Sequence, residues 1–415
     1  MVTLGRSLIM KAIHLSLLIL VAGSTLLAQD STKLKDTLVV QVTPPKKWYE
    51  SFSIRGYIQV RYNRLLETNP DLKCEQCDRS WGEDGGFFIR RARLVFSGNI
   101  SDRVYLYFQP DFASSASSTG LHFGQIRDAY FDVALDKKKE FRIRLGQSKV
   151  PYGFENMQSS QNRLPLDRND GMNSAVANER DLGGFFFWAP AAKRELLSRL
   201  VSDGLKGSGD YGVAAFGLYN GQTANKPELN NSPHVVGRFS WPTQLSNGQI
   251  IEAGIQAYTG KFVIADTTRG VKLSHVNAEF TDQRVGASFI LYPQPFGLQA
   301  EYNIGTGPEY DPATNTITDQ KLQGGYVLAS YMIKPGKQVV IPFSRYYIYK
   351  GGKKHELDAR SYDVKELEMG VEWQVNRNFE FVAMYTISDR RFEDARKPIN
   401  HQKGNLLRLQ AQVNF

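Results

Sequence analysis

The sequence predicts an all-β chain: a transmembrane antiparallel β-barrel of about 16 strands with a loop folded into its lumen. Three observations predict it. Segments of about ten residues alternate apolar and polar side chains, the period of a strand with one greasy face. The connections between them alternate short and long, as periplasmic turns and external loops do. The N-terminus has the layout of an export signal, with Arg6 and Lys11 ahead of an apolar run from Leu15 to Val21 and small residues down to Ala28.

In chain order, residues 1–28 read as a signal peptide. The apolar run is short of the roughly 20 residues a spanning helix needs. Residues 29–50, containing TPPKKWYE, show no periodicity and read as a flexible leader. The barrel is expected over 51–415. In SFSIRGYIQVRYN, Phe52, Ile54, Ile58, Val60 and Tyr62 oppose Ser53, Arg55, Tyr57, Gln59, Arg61 and Asn63. The pattern returns in RVYLYFQPDF, EFRIRLGQ and ELEMGVEWQV, and in LLRLQAQVNF, which sets Leu407, Leu409, Ala411, Val413 and Phe415 against Arg408, Gln410 and Gln412. A soluble sandwich also alternates. Here, however, the polar faces carry large Arg, Glu, Gln and Tyr side chains. Aromatics such as Tyr62, Tyr107, Trp373 and Tyr385 recur near strand ends as interfacial girdles do.

This rule places strands at 51–63, 86–98, 103–112, 125–135, 139–148, 182–189, 210–220, 232–242, 249–259, 283–292, 296–304, 322–334, 338–350, 359–375, 378–388 and 404–415. The long connections are then 64–85, 113–124, 149–181, 260–282, 305–321 and 389–403, with Pro190 to Gly209 an unexplained long stretch on the short side. Sixteen strands enclose an aqueous channel, whereas about eight fill their own interior with side chains.

The net charge of +9 falls to +7 once Arg6 and Lys11 are removed, and a basic balance points to anionic partners. No nucleic-acid partner and no cofactor is expected. The two cysteines, Cys74 and Cys77, sit in LKCEQCDRSW and read as a small loop-stapling disulfide in an exported chain. An enzyme would need a nucleophilic set, and the nearest grouping, Ser274, His275 and Asp282, shares one segment without a nucleophile elbow.

Arg55, Arg61, Arg91, Arg93, Arg103, Arg142 and Arg144 all fall on polar faces of the first five strands, where planar guanidinium groups can replace part of an oxyanion's water shell. Arg90 and Arg91 are neighbours in FFIRRARLVF. A regular strand would point one of them into lipid, at a cost of roughly 2–4 kcal/mol near the midplane. A bulge would turn both inward; a rim or subunit contact would also accommodate Arg90. The segment 149–181 is too long for a simple cap and is expected to fold inward, with Lys149 at its base facing the constriction.

The runs FFIRRARLVFSG, YFQPDF, IRDAYFDV, RLGQSKVPYGFE and RDLGG resemble the phosphate-selective porin O and P family, most densely over 86–184. The resemblance implies a homotrimer of sixteen-stranded barrels in the outer membrane, in contact with its lipid. It implies Arg90 and Arg91 as paired central arginines, Asp111 as the acid beside them and Lys149 as the constriction lysine. Where selective members carry a further arginine this chain has Tyr57, with Arg55 two residues away on the same face. The expected activity is passive diffusion of small anions, phosphate or polyphosphate among them. The alternative is a general or sugar-selective pore in which Tyr57, Tyr105 and Tyr107 form stacking rungs.

Overall fold

The computed structural model describes residues 47–74, 85–112 and 123–415. The predicted signal segment 1–28, most of the leader and Cys77 therefore lie outside the described residues. Sixteen strands close on themselves: β1 Ser53–Leu65, β2 Gly86–Asn99, β3 Val104–Asp111, β4 Gln125–Ala134, β5 Phe141–Lys149, β6 Arg180–Trp188, β7 Ala214–Tyr219, β8 His234–Gln244, β9 Ile250–Val263, β10 Glu279–Leu291, β11 Phe296–Asp311, β12 Thr316–Tyr331, β13 Val339–Gly352, β14 Ser361–Asn376, β15 Phe379–Glu393 and β16 His401–Asn414. Every neighbour is antiparallel, and β1 pairs with both β2 and β16, so no edge is left open. A two-residue strand, Lys272–Leu273, adds a parallel pairing to Thr316–Ile317 above the barrel.

The greasy faces point outward as their alternation requires: Ile54, Phe131, Leu145, Phe216, Ile255, Val327, Val371 and Val413 are exposed, while Gln59, Asp132, Gln256, Glu368 and Gln412 are buried inside. No helix among the described residues is long and apolar enough to cross a membrane; strands do the spanning, and closing the sheet removes the open edges that lipid could not satisfy. Trp373 and Phe381 stack on the outer surface, as a girdle would. Tyr107 does not belong to that girdle. It turns inward and stacks on Tyr130 at 5.0 Å, because it shares the inward parity of Gln109 and Asp111.

Two expectations are corrected. The stretch 305–321 is not a loop: β11 and β12 pair rung for rung up to a tight turn between Asp311 and Thr316. Alternating polarity reports only the span in contact with lipid, and the hydrogen-bond ladder continues into water beyond it. The stretch 190–209 contains a helix, Ala191–Ser202, following Pro190. Its Leu196, Leu197 and Leu200 form an i, i+1, i+4 apolar stripe. That stripe packs with Leu205 in one cluster with Phe154, Leu164, Ile290, Tyr292 and Ile341.

Candidate functional site

Two β-bulges concentrate cations on the wall. In the β1–β2 ladder Gln59 pairs with Arg91 and Val60 with Ile89, so Arg90 is the extra residue, and both arginines face the lumen. Phe87, just before them, stands 78% exposed on the lipid side. Arg91 donates to Gln59 Oε1 at 2.7 Å, and Arg90 reaches to 3.8 Å from Asp167 Oδ1. The same device recurs in β4, which sequence reasoning missed. Gln109 pairs with Asp128 and Pro110 with Ile126, which leaves Arg127 extra and turns it inward beside Asp128. Pro110 has no N–H for the ladder at that point, which suits an interrupted register.

The segment between β5 and β6 folds into the lumen, with nearly all of 150–179 buried. It turns inward at Gly153, whose φ of 78° favours glycine. Two single-turn helices follow, Phe154–Met157 and Asp170–Asn173. Glu301 on β11 accepts from the Phe154 and Glu155 amides at 2.6 and 2.8 Å. Arg345 on β13 pairs with Glu155 and, at 2.6 Å, with Glu368. Asp167 takes Arg61 at 3.1 Å and Arg408 at 2.5 Å, and Asp170 takes Lys353 at 2.6 Å and Arg390 at 3.0 Å. At its far end the segment touches the wall backbone to backbone. A Cβ on Gly171 would sit 2.8 Å from Gly324 C and Gly325 N. Gly171→Val is therefore expected to push the segment off β12 and raise conductance, with loss of amide-exchange protection over 169–175 as the structural readout. Unchanged protection would refute the tight contact.

Against the β1–β6 wall the segment packs a buried cluster of charges. It holds ten cations, Arg61, Arg90, Arg91, Arg93, Arg127, Lys149, Arg163, Arg168, Arg180 and Arg408, against five carboxylates, Asp111, Asp128, Glu155, Asp167 and Glu179, an excess of five positive charges. Arg93 pairs with Asp111 at 2.7 Å, Arg180 with Asp128 at 2.9 Å and Arg168 with Glu179 at 2.6 Å. Lys149 instead donates to the carbonyls of Met157 and Gln158 at 2.6 and 2.9 Å, and Arg163 to those of Pro165 and Leu166. Arg91 Nε, Arg127 Nε and Arg163 Nη1 are buried donors with no hydrogen-bond partner within the described residues. Burial alone would raise the Asp167 carboxyl, but Arg61, Arg408 and Arg90 outweigh it and hold it far below the usual carboxylate range. Desolvation, then Arg168 and Arg91, push the Arg163 guanidinium well below its ordinary value.

The other sequence-predicted residues divide. Tyr57 is buried and accepts from Arg93 at 2.7 Å. Arg144 grips Asp132 with two bonds of 2.7 and 2.9 Å and lies 3.8 Å over the Tyr130 ring. Arg142 pairs with Asp210 at 2.7 Å. Arg55 lies exposed toward the short-turn mouth, donating to Ser97 Oγ and 5.7 Å from the Tyr107 ring. Arg103 is not on the lumen wall: it precedes β3 in the short turn and binds the Leu135 carbonyl, exposed at the rim. Cys74 is disulfide-bonded. The grouping of Ser274, His275 and Asp282 falls apart, since His275 pairs with Asp319 at 3.1 Å while Asp282 receives His234, Tyr258 and Lys354. Sequence reasoning missed Arg163, Asp167, Arg168, Glu179 and Arg180. The one signal that could have found them is the density of charges in NRLPLDRND and NERD, unusual for an external loop.

A closed barrel with lipid-facing apolar strands and an inward loop opposite a cationic wall defines an integral outer-membrane channel of the porin class. The chain belongs to the phosphate-selective porin O and P family, whose model matches residues 70–415. A search of curated protein sequences finds no match. Among solved structures it is similar to the outer membrane channel DcaP of Acinetobacter baumannii, at 11% identity and TM-score 0.52 over 88% of this chain and 97% of that one. It is also similar to Salmonella typhi OmpF in complex with daunomycin, at 13% identity and TM-score 0.54 over 88% and 97%. The anion-selective porin from Comamonas acidovorans aligns at 10% identity and TM-score 0.55 over 88% and 99%. At these identities the likeness extends to the fold. Family and fold alike are those of channel proteins.

Proposed function

We infer that this porin conducts small anions by passive diffusion, phosphate and phosphate-like oxyanions being the favoured class. The observation that carries the reading is the excess of five positive charges where the segment meets the β1–β6 wall, with Lys149 and Arg163 held by carbonyls rather than carboxylates. An anion passing there meets several forked donors in succession, none needing to bind it tightly, as conduction requires. The family's description and the anion selectivity stated for the Comamonas porin support the same reading. The aromatic alternative is weaker, because Tyr57 is occupied by Arg93 and Tyr107 stacks on Tyr130 rather than offering a free face. The active form is read as a homotrimer, released from its 1–28 signal peptide.

The test is the reversal potential in planar bilayers under a chloride gradient, followed by phosphate as a blocker. Anion preference with phosphate block is expected in the parent protein. Removing two charges in Arg91→Ala/Lys149→Ala is expected to lower the anion-to-cation permeability ratio on the order of tenfold, the effect of roughly 1.4 kcal/mol. Near-zero or cation preference in the parent would overturn the reading and leave a general or sugar pore.

A further inference from the structure

The outer surface carries a feature that conduction does not use. Near the long-loop end, β9 to β13 leave a groove of about 740 Å³ whose outward lining includes Thr259, Gln283, Val285, Ile304, Thr306, Lys321, Gln323 and Lys350. Two rungs down lies a second concavity of about 400 Å³, lined on its outward side by Ala287, Phe289, Tyr302, Val327, Tyr346 and Ile348, with the Tyr302 ring lying over Gly325. The ladder registers make the two consecutive. Val285, Ile304, Gln323 and Lys350 form one rung, and Ala287, Tyr302, Gly325 and Ile348 the next outward-facing rung. Tyr302 bridges them, its hydroxyl donating to Gln323 Oε1 at 3.2 Å, which marks the water–lipid boundary as an interfacial tyrosine does. Just above that boundary Lys321 and Lys350 are exposed. Neither forms an ion pair within the described residues. Asp363 stands directly across from Lys350 in the β13–β14 ladder and Glu309 on β11 feels its charge, yet neither carboxylate comes within 4.0 Å of either ammonium group.

We propose that this groove binds a phosphate-bearing lipid of the outer leaflet, its anionic headgroup between Lys321 and Lys350 and its acyl chains in the apolar concavity below. The two halves match one amphiphile. Two unpaired ammonium groups at headgroup height, on stems that reach toward water, suit a phosphate. The apolar concavity flanked by Tyr302, Val327 and Ile348 suits hydrocarbon. Because the groove opens at the long-loop end, it faces the external leaflet.

The test is native mass spectrometry of the full chain in detergent, titrated with diphosphorylated lipid A or with its fully dephosphorylated form. The parent protein is expected to bind the phosphorylated lipid at least tenfold more tightly. Lys321→Gln/Lys350→Gln, two surface changes, is expected to remove most of that difference while leaving single-channel conductance unchanged. Equal binding of the two lipids, no binding of either, or full discrimination in the double variant would overturn the proposal.

Discussion

Asp167→Ala is expected to leave the barrel closed but unseat the inward segment, with single-channel conductance rising several-fold. Asp167 is the one carboxylate that Arg61, Arg408 and Arg90 share, at 3.1, 2.5 and 3.8 Å. Removing one partner of a buried ion pair costs about 3–5 kcal/mol, because the remaining charge is left desolvated. Here three guanidinium groups lose one shared carboxylate together, Arg408 keeping Glu368 at 3.5 Å. The least costly relief is to admit water by moving the segment, since the wall arginines are fixed in a continuous ladder. Anion preference should also rise, because a negative charge leaves the cluster. Cysteine labelling at Ser160→Cys reports the movement independently of current. If conductance, selectivity and labelling all stay at parent values, Asp167 is not the anchor that the geometry makes it.

The second large effect is expected at the opposite mouth. Leu197→Asp/Leu200→Asp should detach the helix Ala191–Ser202 and about double the conductance, with the variant and parent barrels migrating alike on unheated gels. Leu197 and Leu200 are almost fully buried in the cluster that also contains Phe154 and Leu164 of the inward segment. Burying each leucine is worth about 1.5–3 kcal/mol, and a carboxylate in the same place adds a larger desolvation penalty. The residues after the helix tie the two inserts together. Gln158 Nε2 donates to the Lys206 carbonyl at 2.7 Å, and Lys206 Nζ pairs with Glu372 at 2.5 Å. The helix therefore acts as a buttress beneath the loop. A variant whose conductance matches the parent would show that the helix lies clear of the conduction path.

How much of this was legible follows from what each pattern reports. Outward residues such as Val285, Phe289 and Val371 meet lipid two by two, so strand positions could be read directly. Strand ends could not, because β11 and β12 keep pairing above the membrane where polarity no longer alternates. The Arg90–Arg91 bulge was legible because its alternative places a charge in hydrocarbon. The Arg127–Asp128 bulge depends on Pro110 in the neighbouring strand, a pairing that a one-dimensional reading does not see. Arg345, Arg390 and Arg408 were legible as inward-facing at most. Their partners, Glu155, Asp170 and Asp167, come from a segment up to 241 residues away in the chain. The helix Ala191–Ser202 does not show in a period-two alternation, because its leucine stripe has period 3.6.

The two bulges change what a gap in this sequence would mean. Arg90 and Arg127 are each supernumerary to the pairing, so excising either one would rejoin a regular ladder, Arg91 to Gln59 beside Ile89 to Val60 or Asp128 to Gln109 beside Ile126 to Pro110. Every remaining side chain would keep its own face. In most strands a one-residue deletion inverts the whole face and is ruinous. At these two positions it would subtract a single lumen cation, with its pairing to Asp167 or Glu179, and leave every face in place. Here the charge of the passage is tunable by the length of a strand as well as by its composition, a route of variation open to a barrel without disturbing its contact with lipid.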